Sequence, residues 1–213
     1  MEPPFDFAYC ESAAGWIVSQ PLNAASNLVF VALAWWTWND PAARLHRFGL
    51  LAVALGSLVW HTAMQPWALI LDVGAIVLWA ALWALDWSRA VDVPWRRRAP
   101  WATLYLCVCV AVGWALLPVM PMWSAVFVPY AVGCTVLARS ESTLPALRGW
   151  WALSAIAMAA AMFFRENDLR LCADVPVGVH WLWHLLTGIS LLGPIRALSL
   201  TATVAPYLKK ARS

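Results

Sequence analysis

The sequence predicts an all-α integral membrane protein: seven transmembrane helices, the N-terminus outside and the C-terminus in the cytoplasm. Three observations carry that expectation. Hydrophobic residues make up 63% of the chain and charged residues 12%, with a mean hydropathy of +0.69. So few charges cannot cover a water-facing surface, so most of the surface must face lipid. Trp is abundant, at 17 residues, many near the ends of apolar runs. An indole ring, half apolar and half polar, suits that interfacial belt. The basic residues, finally, gather in alternate loops.

A crossing needs roughly 20 apolar residues, and the apolar runs place spans at 20–38, 46–64, 66–88, 100–117, 121–138, 149–164 and 176–200. The first follows an acidic N-terminal segment that holds Glu2, Asp6 and Glu11 and no Lys or Arg. That segment lacks the basic start of a cleavable signal peptide. The second and third form a tight hairpin around Gln65–Pro66. The fourth opens at Pro100 behind the Arg96–Arg98 cluster, and a second hairpin around Pro118–Pro121 leads into the fifth. The sixth is the shortest, and the seventh opens at Pro176. Proline is tolerated at helix starts, where its missing N–H leaves no bond unmade. Every connection is short and no repeat stands out, so residues 1–213 read as one domain.

With the N-terminus outside, the inner side holds Arg44, Arg47, Arg89, Arg96, Arg97, Arg98, Arg139, Arg148, Arg196, Lys209, Lys210 and Arg212. That is 12 of the 14 basic residues; only Arg165 and Arg170 fall outside. The bias obeys the positive-inside rule, and an even number of spans would break it. Contact with an anionic inner leaflet accounts for Arg96–Arg98, so no nucleic-acid partner is implied. No obligate protein partner is evident either.

Ionisable groups inside a membrane are costly and usually functional. His61 lies near the outer end of the second span, Asp72 in the outer half of the third, and His180 and His184 in the outer half of the seventh. At ~1.5 Å per residue, all four fall roughly 5–12 Å inside the outer helix ends. His46 belongs to a basic inner loop and reads as solvated. His180 and His184, four apart, share one helix face; they bind one metal ion or make separate hydrogen bonds. Three histidines at one depth suit a catalytic zinc site, with one position open for water. Asp72 could deprotonate that water or hold a histidine ring. Ser57, one turn before His61, could donate to a developing oxyanion. From spacing alone its hydroxyl is more simply bonded to its own helix carbonyl. Cys107, Cys109 and Cys134 lie within spans and read as small apolar residues. Cys10 and Cys172 lie in outer segments, either paired or two unrelated thiols.

These residues together resemble the alkaline ceramidases and the wider CREST superfamily of seven-helix membrane hydrolases. Tyr9-Cys10-Glu11, followed by Asn23 and Ser26-Asn27, is similar to the family's opening motif. Gly56-Ser57, His61 and, eleven residues later, Asp72 follow its order and spacing. Asn167-Asp168 before Cys172 resembles the segment ahead of the last helix. His180-Trp181-Leu182-Trp183-His184, then Leu186-Thr187-Gly188, is similar to its H-x-x-W-H segment. The fourth and fifth spans carry no matching motif. The resemblance implies that His61, His180 and His184 bind zinc, that Asp72 activates the zinc-bound water, and that Ser57 stabilises the tetrahedral intermediate. It also implies a Cys10–Cys172 disulfide and hydrolysis of a ceramide amide to a long-chain base and a fatty acid.

Eukaryotic members of the family also bind calcium near the N-terminus. Here Glu11 is kept, Ala8 and Ala13 stand where oxygen ligands are expected, and Gln20 stands where a Glu is expected. Calcium takes six or more oxygens, so Asp6 or loop carbonyls would have to complete the set, and Glu11 reads as the remnant of a weak calcium site. The composition suggests a bacterial protein of the inner membrane, its site facing the periplasmic leaflet, with another lipid amide or ester as the alternative native substrate. The competing expectation is a non-enzymatic receptor or transporter-like protein with a structural zinc site. Asp72 and Ser57 favour the enzyme, since a structural zinc needs no water-activating carboxylate.

Overall fold

A computed structural model describes residues 9–12, 17–90, 93–141 and 143–200. Glu2, Asp6, Ala8, Ala13, Lys209, Lys210 and Arg212 lie outside the described residues. All regular structure among the described residues is helical: α1 (Pro21–Ser26), α2 (Leu28–Trp36), α3 (Arg44–Ala63), α4 (Pro66–Ala90), α5 (Trp95–Ala115), α6 (Met122–Ala125), α7 (Val128–Arg139), α8 (Pro145–Asn167) and α9 (His180–Ser190), with residues 192–200 helical beyond it.

Among the described residues, four helical segments are long and apolar enough to cross a membrane: Pro41–Ala63, Pro66–Leu85, Trp95–Ala115 and Pro145–Asn167. They are the predicted second, third, fourth and sixth spans. Their faces stay largely uncovered by the rest of the chain: Ile70 on α4 is 72% exposed and Ile156 on α8 is 68% exposed. Apolar faces that no other helix covers need lipid as their solvent. The remaining three predicted spans are shorter or interrupted. The first is divided at Asn27, whose Nδ2 donates to the carbonyls of Asn23 and Ala24. The fifth is broken between α6 and α7, where Pro129 has no N–H to offer the carbonyl one turn back. The seventh is interrupted at Leu191, with Pro194 three residues on. Pro194 cannot bond the carbonyl of Ser190, and the Tyr130 hydroxyl donates to that oxygen instead, at 2.6 Å.

Three predicted boundaries are corrected. The sixth span is not short: α8 runs over 23 residues. The fourth helix begins at Trp95, so Pro100 lies inside α5 rather than at its start. The seventh begins at His180, and Pro176 lies in the preceding turn. His46 is also not solvated. It is fully buried in the first turn of α3, its ring edge-on to Trp79 at a centroid distance of 5.8 Å. Arg47 is buried too; it donates to the Trp38 carbonyl and lies over the Trp38 ring.

α3 packs along α4 and against α1 and α2, while α9 packs on α8 and reaches α1 and α2. The core between them holds Phe30, Leu50, Trp79, Trp151, Met158 and Ile195. One end of this core contains the polar residues described next.

Candidate metal centre

Two helices meet closely to form one wall. α3 ends at Met64, which adopts the left-handed conformation (φ 48°), and α4 starts directly at Pro66. The hairpin brings Gly56 against the α4 backbone, where a Cβ would lie 2.7 Å from the Leu71 carbonyl oxygen. Only glycine permits that approach, and it sets Ser57 beside Asp72. The two side chains interact.

The N-terminal segment forms a second wall. The amides of Ser19 and Gln20 donate to the carbonyls of Thr62 and His61, at 3.2 and 3.0 Å. These bonds satisfy carbonyls that the end of α3 would otherwise leave open. Glu11 then caps α1: its two carboxylate oxygens accept from the amides of Leu22 and Asn23, at 2.6 and 2.7 Å. The residue read as a calcium-site remnant thus has both oxygens engaged at a helix N-terminus, where negative charge is favoured.

The third wall is the start of α9. The buried carboxylate of Asp168 accepts from the amides of Val179, His180 and Cys10, at 2.6, 2.9 and 2.9 Å. Gly178 turns the chain there with φ +68°, a conformation glycine adopts without strain. Cys10 and Cys172 form a disulfide, their Cα atoms 5.3 Å apart. The bond and the carboxylate fasten the N-terminal segment to the loop that feeds α9.

Between these walls His61, His180 and His184 converge. All three are buried, and one ring nitrogen of each lies within 4.8 Å of the other two. The group could hold a metal ion. The Ser57 oxygen is 3.4 Å from His184 Nε2, a contact to the site rather than to its own helix carbonyl. Asp72, half-buried on α4, completes the cluster through Ser57.

The sequence assigned no role at the histidines to several contributors. Gln20 Oε1 lies 2.5 Å from His61 Nδ1, and Ser26 Oγ lies 2.6 Å from His184 Nδ1. The Tyr9 ring packs on His180 and His61, with centroids 4.4 and 5.4 Å apart, and its oxygen accepts from Trp60 Nε1 at 3.3 Å. Burial pushes the Tyr9 phenol above its ordinary range, so it stays neutral. The Arg165 guanidinium, at the end of α8, lies 4.7 Å from the centroid of Trp183, which sits between the two α9 histidines in sequence. Each of these depends on segments far apart in the chain.

The site fits a metal by its own polar balance. His180 Nδ1 is buried without a hydrogen-bond partner. A neutral imidazole nitrogen left bare in a dry site costs free energy unless something binds it. Three neutral imidazoles are also the donor set that zinc accepts. No protein-family model matches the chain, and a search of curated proteins finds no match.

Proposed function

We propose that this protein is a zinc-dependent membrane hydrolase of alkaline ceramidase type, cleaving the amide of ceramide or a related lipid amide to a long-chain base and a fatty acid. One observation supports the reading above the others: Ser57, with Asp72 beside it, adjoins a buried cluster of three histidines. A purely structural metal site has no use for either. His61, His180 and His184 would hold the ion. Zinc, when bound, supplies an electrophile and a water that is acidic near neutral pH. Asp72 is placed to take a proton from the attacking water and later to return one to the leaving amine. Ser57 is placed to turn its hydroxyl from Asp72 to the oxygen that gains charge as the amide carbon becomes tetrahedral.

The same reading sets the orientation. The histidine end faces the outer leaflet, in a bacterial inner membrane the periplasmic one, and the basic end faces the cytoplasm. An apolar substrate then enters from lipid with its amide at the depth of the histidines. Glu11 serves α1 as its cap.

Metal analysis of the purified protein should find about one zinc per chain. Hydrolysis assays on a panel of ceramides and other lipid amides should find turnover that a zinc chelator abolishes. His180→Ala should lose most of the metal. A metal-free protein, or a zinc-loaded one inert towards every lipid amide in the panel, would overturn the assignment.

A further inference from the structure

Hydrogen-bond bookkeeping around the histidines assigns a task to α1. Gln20 offers Oε1, an oxygen that only accepts, to His61 Nδ1 at 2.5 Å. The proton of His61 must therefore sit on Nδ1, and Nε2 is left with its lone pair bare. Ser26 is less direct, because a hydroxyl both donates and accepts. Its Oγ lies 2.7 Å from the carbonyl oxygen of Asn23 and 2.6 Å from His184 Nδ1. With the ion held by His184 Nε2, on the side of the ring near Ser57 Oγ, the ring proton sits on Nδ1 and the Ser26 oxygen accepts it. His180 differs, for its Nδ1 has no hydrogen-bond partner.

We infer that α1 is a positioning element for the metal centre: Gln20 and Ser26 hold His61 and His184 in the tautomer whose Nε2 faces the ion. Neither side chain binds the metal; each acts through a histidine. A metal-ligating imidazole whose other nitrogen donates to a fixed acceptor is correctly oriented and more basic, and losing that acceptor typically weakens metal binding about 10–100-fold. The rest of the N-terminal segment serves the same end. Glu11 caps α1, and the bonds of Ser19 and Gln20 to the end of α3 carry α1 to the rings.

This inference rests on the proposed metal site, and its test separates the two. Zinc affinity of the full-length protein in detergent is measured by competition with a chromogenic chelator, with no substrate present. The Cys10–Cys172 link, read by non-reducing mass spectrometry, serves as the folding control. Gln20→Leu removes the acceptor and should weaken zinc binding roughly 10–100-fold. Gln20→Glu keeps an accepting oxygen and should bind zinc at least as tightly as the unaltered protein. Ser26→Ala should weaken binding, and Ser26→Thr, which restores the hydroxyl, should recover it. Ser26→Ala takes away a single oxygen from α1, so this pair carries the test even where Gln20→Leu does not fold. Metal binding unchanged in both Gln20→Leu and Ser26→Ala, in a protein that binds zinc, would overturn the role of α1 alone. Equal losses in the leucine and glutamate variants would do so too, because they would reduce Gln20 to packing. An unaltered protein that binds no zinc would remove the metal site and this inference together.

Discussion

At the scale of single residues, the sharpest distinction lies between Asp72 and the histidines. Asp72→Asn keeps shape and a hydrogen-bonding oxygen but cannot take a proton. Zinc content and folding should survive it, while hydrolysis falls roughly 10²–10⁴-fold, the usual worth of a placed acid or base. Ser57→Ala should cost about 10²–10³-fold, as the loss of one oxyanion donor does. Near-normal turnover in Asp72→Asn would make Asp72 a partner of Ser57 and nothing more, and a protein with no turnover to lose would fit the receptor reading. The residues behind this prediction were visible in sequence because a few polar groups stand out in an apolar chain, and helical rise converts their positions into depth. His61, His180 and His184 share a level, and the structure brings them together. Gln20, Ser26 and Asp168 were not legible in the same way. A hydroxyl four turns of chain away from anything charged looks like any other, and Ser26 matters only because it meets His184, 158 positions later. His46 shows the converse error: among basic residues it read as solvated, but Trp79 and the α3–α4 contact bury it.

At the scale of helices, two contacts decide whether the site residues meet. The first is the approach of α3 to α4 at Gly56. On an isolated helix Gly→Ala gains about 1 kcal/mol. Here the added carbon would lie 2.7 Å from a backbone oxygen, which cannot rotate aside as a side chain would. Overpacking of this kind typically costs about 1–3 kcal/mol, so the sign reverses. Gly56→Ala should lower thermal stability and, by separating Ser57 from Asp72, lower turnover further than the stability loss alone explains. A variant as stable and active as the original would show that the helices have room to part. The second contact is Asp168, which gathers three backbone amides from two segments. Asp168→Ala strands buried donors at roughly 1–3 kcal/mol each. Melting in detergent should drop by about 2–4 °C for every kcal/mol lost, and Asp168→Asn, which keeps one accepting oxygen, should fall less. An unchanged melting point in the alanine variant would mean that the disulfide alone secures the start of α9. Helix ends were the least readable feature for a related reason. Pro100 looked like a start, yet the stretch from Trp95 is already helical, and the start of α9 is set by a carboxylate and a glycine rather than by Pro176.

At the scale of the whole molecule, the two ends of the bundle are chemically different, and that difference bears on topology. One end holds the disulfide, the histidines and Asp168. The opposite end holds Arg196, stacked 4.4 Å from the Trp36 ring and 5.4 Å from Trp150, and the bond between Ser199 and Asp40. A disulfide persists in an oxidising compartment, while basic residues collect on the cytoplasmic side. The two rules rest on unrelated chemistry, and both support the proposed orientation. Composition made the membrane setting plain from the start, because no arrangement of so few charges could cover the chain in water. The number of crossings was less readable, since it depends on how interrupted helices are counted. Among the described residues four segments suffice by length and apolarity, while α1 with α2, α6 with α7, and α9 with residues 192–200 are each interrupted. Such breaks are tolerated at membrane depth when other groups satisfy the freed backbone, as Tyr130 does at Ser190. If all three pairs cross, the number of spans is odd and the ends lie on opposite sides. A reporter fused after Ser213 should then read cytoplasmic, and one placed ahead of Cys10 should read external. A Ser213 fusion reading external would mean that one interrupted pair turns back within the membrane. α9 with residues 192–200 would be the first to re-examine, because its break falls just beyond the histidines and the basic residue that pins its far end is Arg196.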